Sequence, residues 1–252
     1  IRNMDQYDRN IFAAKSFLDI TESTLSQLGD ALIRAKELSL QASSDTLGES
    51  QRMMIGSEVE QISRGIYEMA NRRAGERFLF GGFKTHQAPF GQNGEYQGDD
   101  GEIKIQTQKG NFIPLNLTGD RVFLGRGITV DGYQRPSVST PKDTNELQEY
   151  KLSEGERELE NQEFLNERIE TRGPASVNRV QTITKEDPVS KDIGVNIFSL
   201  VNGLTVALKT NDKKSIQDAL EPLDQAMTQV NLMRAEIGGR VNQMNTIADG
   251  IQ

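Results

Sequence analysis

The residues that most often carry chemistry are scarce in this chain. His86 is the only histidine, and the 252 residues include no cysteine. A lone histidine cannot form a histidine-rich metal site, and no thiolate is available to assist it as ligand or nucleophile. We interpret His86 as a surface-loop residue. The missing cysteines also exclude disulfides and cysteine-based metal sites.

A cluster of carboxylates in the sequence QGDDGE is the next candidate for a metal site. Asp99, Asp100 and Glu102 could supply oxygen ligands, but the sequence lacks the regular ladder and the distant glutamate of an EF-hand loop. We interpret the cluster as a polar turn between strands. The nearby glycines do not follow phosphate-loop or dinucleotide spacing, so we interpret them as turn formers: Gly81, Gly82, Gly98 and Gly101.

Paired carboxylates are abundant between residues 146 and 170. Abundance on a charged surface is no catalytic signal, because an acid–base pair needs a walled site that separates its two pKa values. We interpret this run as a solvated face. The sequence therefore predicts no catalytic residue, no cofactor and no metal ion, and a protein that is not an enzyme.

The composition favours an elongated structural protein. Only 35% of the residues are apolar, which is few for one large globular core. With a net charge of −8, the chain has no excess of positive charge with which to bind nucleic acid. No apolar run approaches the roughly 18 residues of a membrane span, and the N-terminus lacks the pattern of a signal peptide. We expect neither nucleic acid nor a membrane as partner.

A long amphipathic stretch near the C-terminus predicts the helix around which the chain is organised. Steps of four and three residues alternate there, and a mean of about 3.5 keeps one stripe of a helix against a partner helix. Pro222 predicts a kink or restart near Glu221. The stripe is apolar except for Arg234: Ile216, Leu220, Leu223, Met227, Val230, Arg234, Ile237, Val241, Met244, Ala248 and Ile251.

Two features of this stretch are unfavourable in a packed helix and require an explanation: the charge of Arg234 and the two glycines at 238 and 239. A charge in a buried stripe is costly unless it is paired, and polar residues there often fix the register. For Arg234 we keep two hypotheses: a register-setting ion pair with Glu58, Glu60 or another helix, or a place at the edge of the stripe where the guanidinium reaches water. Gly238 and Gly239 in mid-helix cost about 1 kcal/mol each relative to alanine. They predict either the close approach of another backbone or a break in the helix.

The N-terminal part predicts partner helices with the same spacing. One series runs from Met4 to Ala42, and a second follows from about residue 49 to 73 through Ile55, Val59 and Ile66. The stretch SSDTLGES between them is a turn, so the two helices form an antiparallel hairpin. Their apolar stripes require a further helix, which the C-terminal stretch can supply.

Between residue 77 and about residue 191 the period changes to two. EIKIQTQ and FIPLNL flank the turn KGN and predict a β-hairpin, with Pro114 at an edge or bulge. We predict further strands at 77–80, 122–124, 128–130 and 179–184. Residues 141–172 predict a helical surface excursion or disorder. Helical spacing returns from Ile193 to Ala207.

We therefore predict a mainly α fold with a β-rich insertion. Residues 1–76 and 193–252 are the two halves of a long antiparallel helical rod, packed like a coiled coil. Residues 77–192 are a small β-rich outer domain that includes the acidic excursion at 141–172.

Three segments carry a resemblance to a known family. ANRRAGERFLFGGFKTHQAPF, residues 70–90, is similar to its passage from helix to β domain, and EYQGDDGEIKIQTQKGNFIPLNLTGDRVF, residues 95–123, to its first β segment. LDQAMTQVNLMRAEIGGRVNQM, residues 223–244, is similar to its C-terminal helix. The sequence thus resembles the flagellin superfamily, and within it the junction proteins that join hook to filament in the bacterial flagellum.

The resemblance implies a structural, extracellular protein of the flagellum, exported by the flagellar type III apparatus. It implies neighbouring copies, the preceding hook-associated protein, flagellin and an export chaperone as partners. Positions that match the family imply subunit contacts or rod packing at Arg34, Glu37, Leu38, Arg234, Gly238, Gly239 and Asn242. The passage into the β domain implies a hinge at Phe80, Gly81, Gly82 and Phe83.

The family has further helical segments at both ends that this sequence lacks, so we expect a trimmed and monomeric form. Two alternatives remain open. One is a flagellin-type filament subunit, which differs in copy number. The other is a surface adhesin on a coiled-coil stalk, for which the sequence, with no tryptophan and five tyrosines, offers little aromatic surface for sugar stacking.

Overall fold

The computed structural model describes residues 2–91, 93–108, 110–129, 132–133 and 194–251. The chain divides into two compact units, residues 1–134 with 191–252 and residues 135–190. Every element given below belongs to the first unit. The predicted excursion at 141–172 and the predicted strand at 179–184 lie outside the described residues.

Helices make up most of the described part of the chain. The three longest carry the periodic apolar residues expected from the sequence, and the short ones sit at turns. The helices are α1 (Arg2–Ala42), α2 (Glu49–Ala70), α3 (Gly119–Leu124), α4 (Ile197–Lys209), α5 (Lys213–Asp218) and α6 (Leu220–Ile251).

Side-chain caps explain where the C-terminal helices begin. Asn196 accepts a hydrogen bond from the backbone N–H of Ser199 at 3.1 Å and starts α4. Asp212 accepts one from Ser215 at 3.2 Å and starts α5, and the bonds from Ser215 hold the pKa of Asp212 below its usual value. Pro222 lies in the first turn of α6, where no intrahelical donor is needed. The predicted restart near Glu221 is confirmed.

The long helices pack side by side in antiparallel pairs. The helix α1 packs against both α6 and α2, and α2 packs against α4. Two ion pairs show the direction of α1 against α6, since Lys36 meets Asp224 and the earlier Glu22 meets the later Arg234. Arg34 of α1 pairs with Glu58 of α2. The predicted helical hairpin and its C-terminal partner helix are both confirmed.

The strands form three two-stranded antiparallel sheets. The predicted hairpin around KGN is confirmed, with Lys104 opposite Pro114 and a bulge between Gln106 and Gln108. Pro114 therefore ends a strand of a sheet in which both strands are edges, a position where its missing N–H costs little. The pairs are β1 (Arg73–Ala74) with β2 (Arg77–Phe78), β3 (Lys104–Gln108) with β4 (Asn111–Pro114), and β5 (Ile128–Thr129) with β6 (Gly132–Tyr133).

One strand prediction was wrong, and another was wrong in part. Residues 122–124 lie in α3, because this short apolar run turns Val122 and Phe123 into the core within one helical turn. A run of this length fits a strand or a buried helix equally well by pattern. The left-handed Gly125, with φ of 68°, ends the helix. The strand expected at 77–80 stops at Phe78, since the following residues bend.

The core runs without interruption from the helices into the β-rich part. Where they meet, four phenylalanine rings pack with centroids between 5.0 and 5.5 Å apart: Phe80, Phe90, Phe123 and Phe198. The predicted fold class, mainly α with small antiparallel sheets, is confirmed. The domain boundaries at 76/77 and 192/193 stay predictions.

Candidate packing interfaces

The buried stripe of the C-terminal helices differs in phase from the predicted one. Alternate positions lie one residue earlier than expected, so the stripe reads Ile216, Ala219, Leu223, Ala226, Val230, Met233, Ile237, Arg240 and Met244. Leu220, Met227, Arg234 and Val241 are half-buried and line its edge. The spacing alone could not distinguish the two phases, because at each position where they differ the candidates are two adjacent residues on the same side of the helix. The small side chains of Ala219 and Ala226 allow a neighbouring helix to come close.

Arg234 makes an ion pair with a helix other than α2. Its guanidinium donates to Glu22 Oε1 of α1 at 2.8 and 3.3 Å. The named candidate partners are engaged elsewhere, Glu58 with Arg34 and Glu60 with Lys209. Both side chains of the pair are about two-fifths exposed, so the pair lies at the edge of the stripe. A role for it in setting the register stays a prediction.

The exposure of this pair limits what it contributes. Replacing Arg234 by leucine should change the free energy of unfolding by about 1 kcal/mol or less, because solvent screens exposed ion pairs. Urea denaturation of both proteins measures the difference. A loss several times larger would show that the pair does set the register of α6 against α1.

The buried charge of the stripe is Arg240, which sequence reasoning did not single out as costly. Arg240 is 8% exposed and donates to the carbonyl of Asn116 at 2.8 Å and to Glu236 at 2.5 Å. Glu236 also pairs with the buried Arg121 of α3 at 2.6 Å. Burial lowers the pKa of Arg240, and the charge of Glu236 opposes that effect. The cluster ties α6 to the segment that follows β4.

A second buried arginine, Arg52, joins three chain segments at the end of the helix pairs. Its guanidinium donates to the carbonyls of Ala42 and Ser44, at 2.8 and 2.9 Å, and to Asn211 Oδ1 at 2.6 Å. It thereby satisfies the carbonyl of Ala42, the last residue of α1, which has no partner within the helix, and it binds the turn that follows at Ser44. Asn211 is held in the left-handed conformation, with φ of 57°. The sequence carried no signal for this contact apart from an arginine in the first turn of α2.

The candidate contact residues of α1 lie on different faces of the helix. Arg34 and Glu37 are exposed and pair with each other at 3.3 Å. Leu38 is buried in the core of the chain. The apolar side chains that this stretch presents to solvent are Ile33 and Leu40, on either side of Glu37. Sequence reasoning missed these two residues, although their spacing of seven places them on one face.

Of the candidate contact residues of α6, Gly239 and Asn242 lie on its outer face, whereas Arg234 and Gly238 are half-buried. The helix continues through Gly238 and Gly239, so the predicted break does not occur. A Cβ added at either glycine would meet no described atom within 4 Å outside the adjoining backbone of α6. Between Gln225 and Ala248 the charges are Arg234, Glu236 and Arg240, all paired within the chain. The outer face is therefore uncharged: Thr228, Asn231, Ala235, Gly239, Asn242 and Thr246.

The candidate hinge at residues 80–83 is bonded on both sides. Phe80 is buried, and its carbonyl accepts hydrogen bonds from the N–H of Gly119 at 2.9 Å and the hydroxyl of Tyr96 at 3.0 Å. Burial, with the charge of Asp120 adding to it, raises the pKa of Tyr96, which keeps this hydroxyl protonated. A hinge motion here would have to break these bonds, and the hinge stays a prediction.

The carboxylate cluster has a structural role in the same turn. Asp99 Oδ1 accepts from the backbone N–H of Phe83 at 2.7 Å and of Gly101 at 3.0 Å. Gly82, with φ of 69°, approaches Asp99 so closely that no side chain would fit. His86 is exposed. Among the described residues, no group of three or more His, Cys, Asp or Glu could hold a metal ion, and no described helix is long and apolar enough to cross a membrane.

The chain is similar in sequence to known proteins. Residues 1–85 match the family model described as the bacterial flagellin N-terminal helical region. The chain is 32% identical over 124 residues to flagellar hook-associated protein 3 of Escherichia coli, a match that covers 48% of this chain and 38% of that protein. It is 33% identical over 156 residues to the flagellar filament 30.7 kDa core protein of Treponema maltophilum, covering 58% and 50%.

A solved structure extends the likeness over the whole chain. The crystal structure of flagellar hook-associated protein 3 from Legionella pneumophila matches with a TM-score of 0.66 and 18% identity, over 100% of this chain and 92% of that one. The match to the Escherichia coli protein spans less than two-fifths of that protein's length. The predicted resemblance is confirmed: this chain is similar in sequence and in fold to the flagellin-like proteins named flagellar hook-associated protein 3.

Proposed function

We propose that this chain is a structural subunit of the bacterial flagellum that joins the hook to the filament. The observation that supports this most is the sequence similarity to flagellar hook-associated protein 3 of Escherichia coli, combined with the same fold over the full chain. Its work is contact between surfaces, so it needs neither catalysis nor a cofactor.

The contacts of the proposed subunit use the outer faces of two helices. On α1, Ile33 and Leu40 expose apolar surface around the Arg34–Glu37 ion pair. On α6, the uncharged face around Gly239 leaves room for another helix to approach closely. Burial of apolar surface in such contacts favours association. Neighbouring copies, the preceding hook-associated protein and flagellin are the proposed occupants.

The proposal includes a location and a domain arrangement. The protein is exported through the flagellar type III apparatus with the help of a chaperone and works outside the cell. The long helices α1, α2 and α6 pack around the axis of the assembly. Small shifts near residues 80–83 adapt each copy to differently curved neighbours.

Deletion of the gene in the source bacterium tests this function. We expect cells that do not swim, with hooks visible by electron microscopy and filament protein released into the medium. A plasmid-borne full-length copy restores filaments. Intact filaments on the deletion strain would contradict the proposal.

The outer face of α6 offers a test by substitution. Gly239→Trp in the full-length protein should abolish filament attachment, because the indole fills space reserved for another subunit. The fold should hold, since a Cβ there would meet no described atom within 4 Å outside the adjoining helix backbone, and tryptophan has a better helix propensity than glycine by a few tenths of a kcal/mol.

Gly203→Trp is the matched control, because Gly203 is an exposed mid-helix glycine of α4 with equally open surroundings. It should leave swimming unchanged. Normal swimming of the Gly239→Trp strain, measured in soft agar, would remove this face from the proposed contacts.

A second function is supported by a specific observation. The likeness to the filament core protein of Treponema maltophilum favours a filament subunit, which would use the same outer faces along the whole filament. The two functions differ in copy number and position on the flagellum.

A further inference from the structure

Two segments of the chain touch on either side of residues 134–193. Gly125 ends α3 in the left-handed conformation, and Gly194 is the first described residue after that gap. A Cβ added at Gly194 would overlap the carbonyl of Gly125. The backbones therefore approach as closely as backbones can, with no space for a side chain between them.

The side chain of Gln229, from the middle of α6, binds both segments. Gln229 is 2% exposed. Its Oε1 accepts from the N–H of Val195 at 2.9 Å, and its Nε2 donates to the carbonyls of Val195 at 3.2 Å and Val122 at 2.8 Å. One amide thus uses its oxygen and both hydrogens.

This geometry suits a primary amide and no other side chain of that size. The amide meets the N–H and the C=O of Val195 together, as a neighbouring β-strand would. A carboxylate lacks the donors and a thioether lacks strong groups of either kind. Val195 itself precedes α4, and its N–H has no backbone partner among the described residues.

We propose that Gln229 is a positioning residue that fastens the outgoing segment, 122–125, to the returning segment, 194–196. It fixes where α4 begins relative to α3. The fastening is local, since its three bonds involve backbone groups of α3 and of residue 195 and none of α1.

Hydrogen exchange of the full chain, followed residue by residue by NMR, tests this proposal. In the unsubstituted protein the Val195 amide should exchange at least about 100-fold more slowly than in an unstructured peptide, since a bond to a buried group protects it. An unprotected Val195 amide would overturn the proposal without the need for any variant.

Substitution of Gln229 then distinguishes a local contact between the two segments from a general contribution to the stability of the fold. Gln229→Met keeps the volume but removes the amide, and should reduce the protection of Val195 at least about tenfold more than it reduces that of amides in the middle of α1. Gln243→Met, at an exposed glutamine of the same helix, should change neither. An equal loss of protection throughout the chain would contradict the local role.

Discussion

Replacing Phe90 by alanine should lower the free energy of unfolding by about 3–5 kcal/mol, a large fraction of the stability of an ordinary domain. Phe90 is 1% exposed, and its ring lies 5.0–5.3 Å from the rings of Phe198, Tyr96 and Phe123. Alanine would leave a cavity at the place where elements from both ends of the described sequence meet. Urea denaturation of the full chain, with an unchanged slope, measures the loss.

Phe12→Ala is the matched control for this experiment. Phe12 is 79% exposed on α1, so the same change removes little buried area and should cost about 0.5 kcal/mol or less. Equal losses at the two positions would contradict the described core.

Replacing Arg52 by alanine should lower the free energy of unfolding by about 3 kcal/mol, because hydrogen bonds from a charged donor are worth more than neutral ones and their acceptors would be left unpaired. Arg52 is 5% exposed and donates hydrogen bonds to three acceptors, the carbonyls of Ala42 and Ser44 and the side chain of Asn211. Lysine cannot reproduce the three-way geometry, so Arg52→Lys should recover only part of the loss.

Arg64→Ala on the same helix is the control for Arg52. The Arg64 side chain is 70% exposed and its ion pair with Glu60 spans 3.7 Å, so we expect a change near zero. Thermal unfolding of Arg52→Ala, Arg52→Lys and Arg64→Ala, each compared with the parent protein, gives the order of their stabilities. If the Arg52→Ala protein were as stable as the Arg64→Ala protein, the hydrogen bonds of Arg52 would not contribute the expected stability.

The long helices could be predicted because their sequences repeat one signal many times. The stripe of α1 from Ile11 to Ala42 is buried at the expected positions, and the hairpin around KGN pairs as expected. Each of these elements is specified locally, by period or by turn chemistry. Tertiary contacts were not needed to find them.

The phase of the C-terminal stripe required information that lies outside α6. Ala226 is in the stripe and Met227 at its edge, although the larger side chain is the more apolar. Arg240 is buried because Asn116 and Glu236 supply partners, whereas Arg234 lies at the edge beside Glu22. Asn116 and Glu22 are distant in sequence and only Glu236 lies on α6, so spacing alone predicted the wrong arginine.

The two buried polar residues that join chain segments, Arg52 and Gln229, could not be predicted from the sequence, because a single buried polar residue produces no periodic pattern. By sequence alone, both resemble ordinary residues of a helix surface. Each is recognised only when the carbonyls it serves are brought together by the fold. The segment 122–124 was misassigned for a related reason, because its three apolar residues are too few to show a period.

The position of the protein on intact flagella tests the central claim most directly. Antibodies against the full-length protein, detected with gold particles by electron microscopy, should mark a single narrow band where the curved hook meets the filament. Flagella of the deletion strain carrying only hooks should stay unlabelled. Gold distributed along the whole filament would contradict the junction function and support the filament-subunit alternative.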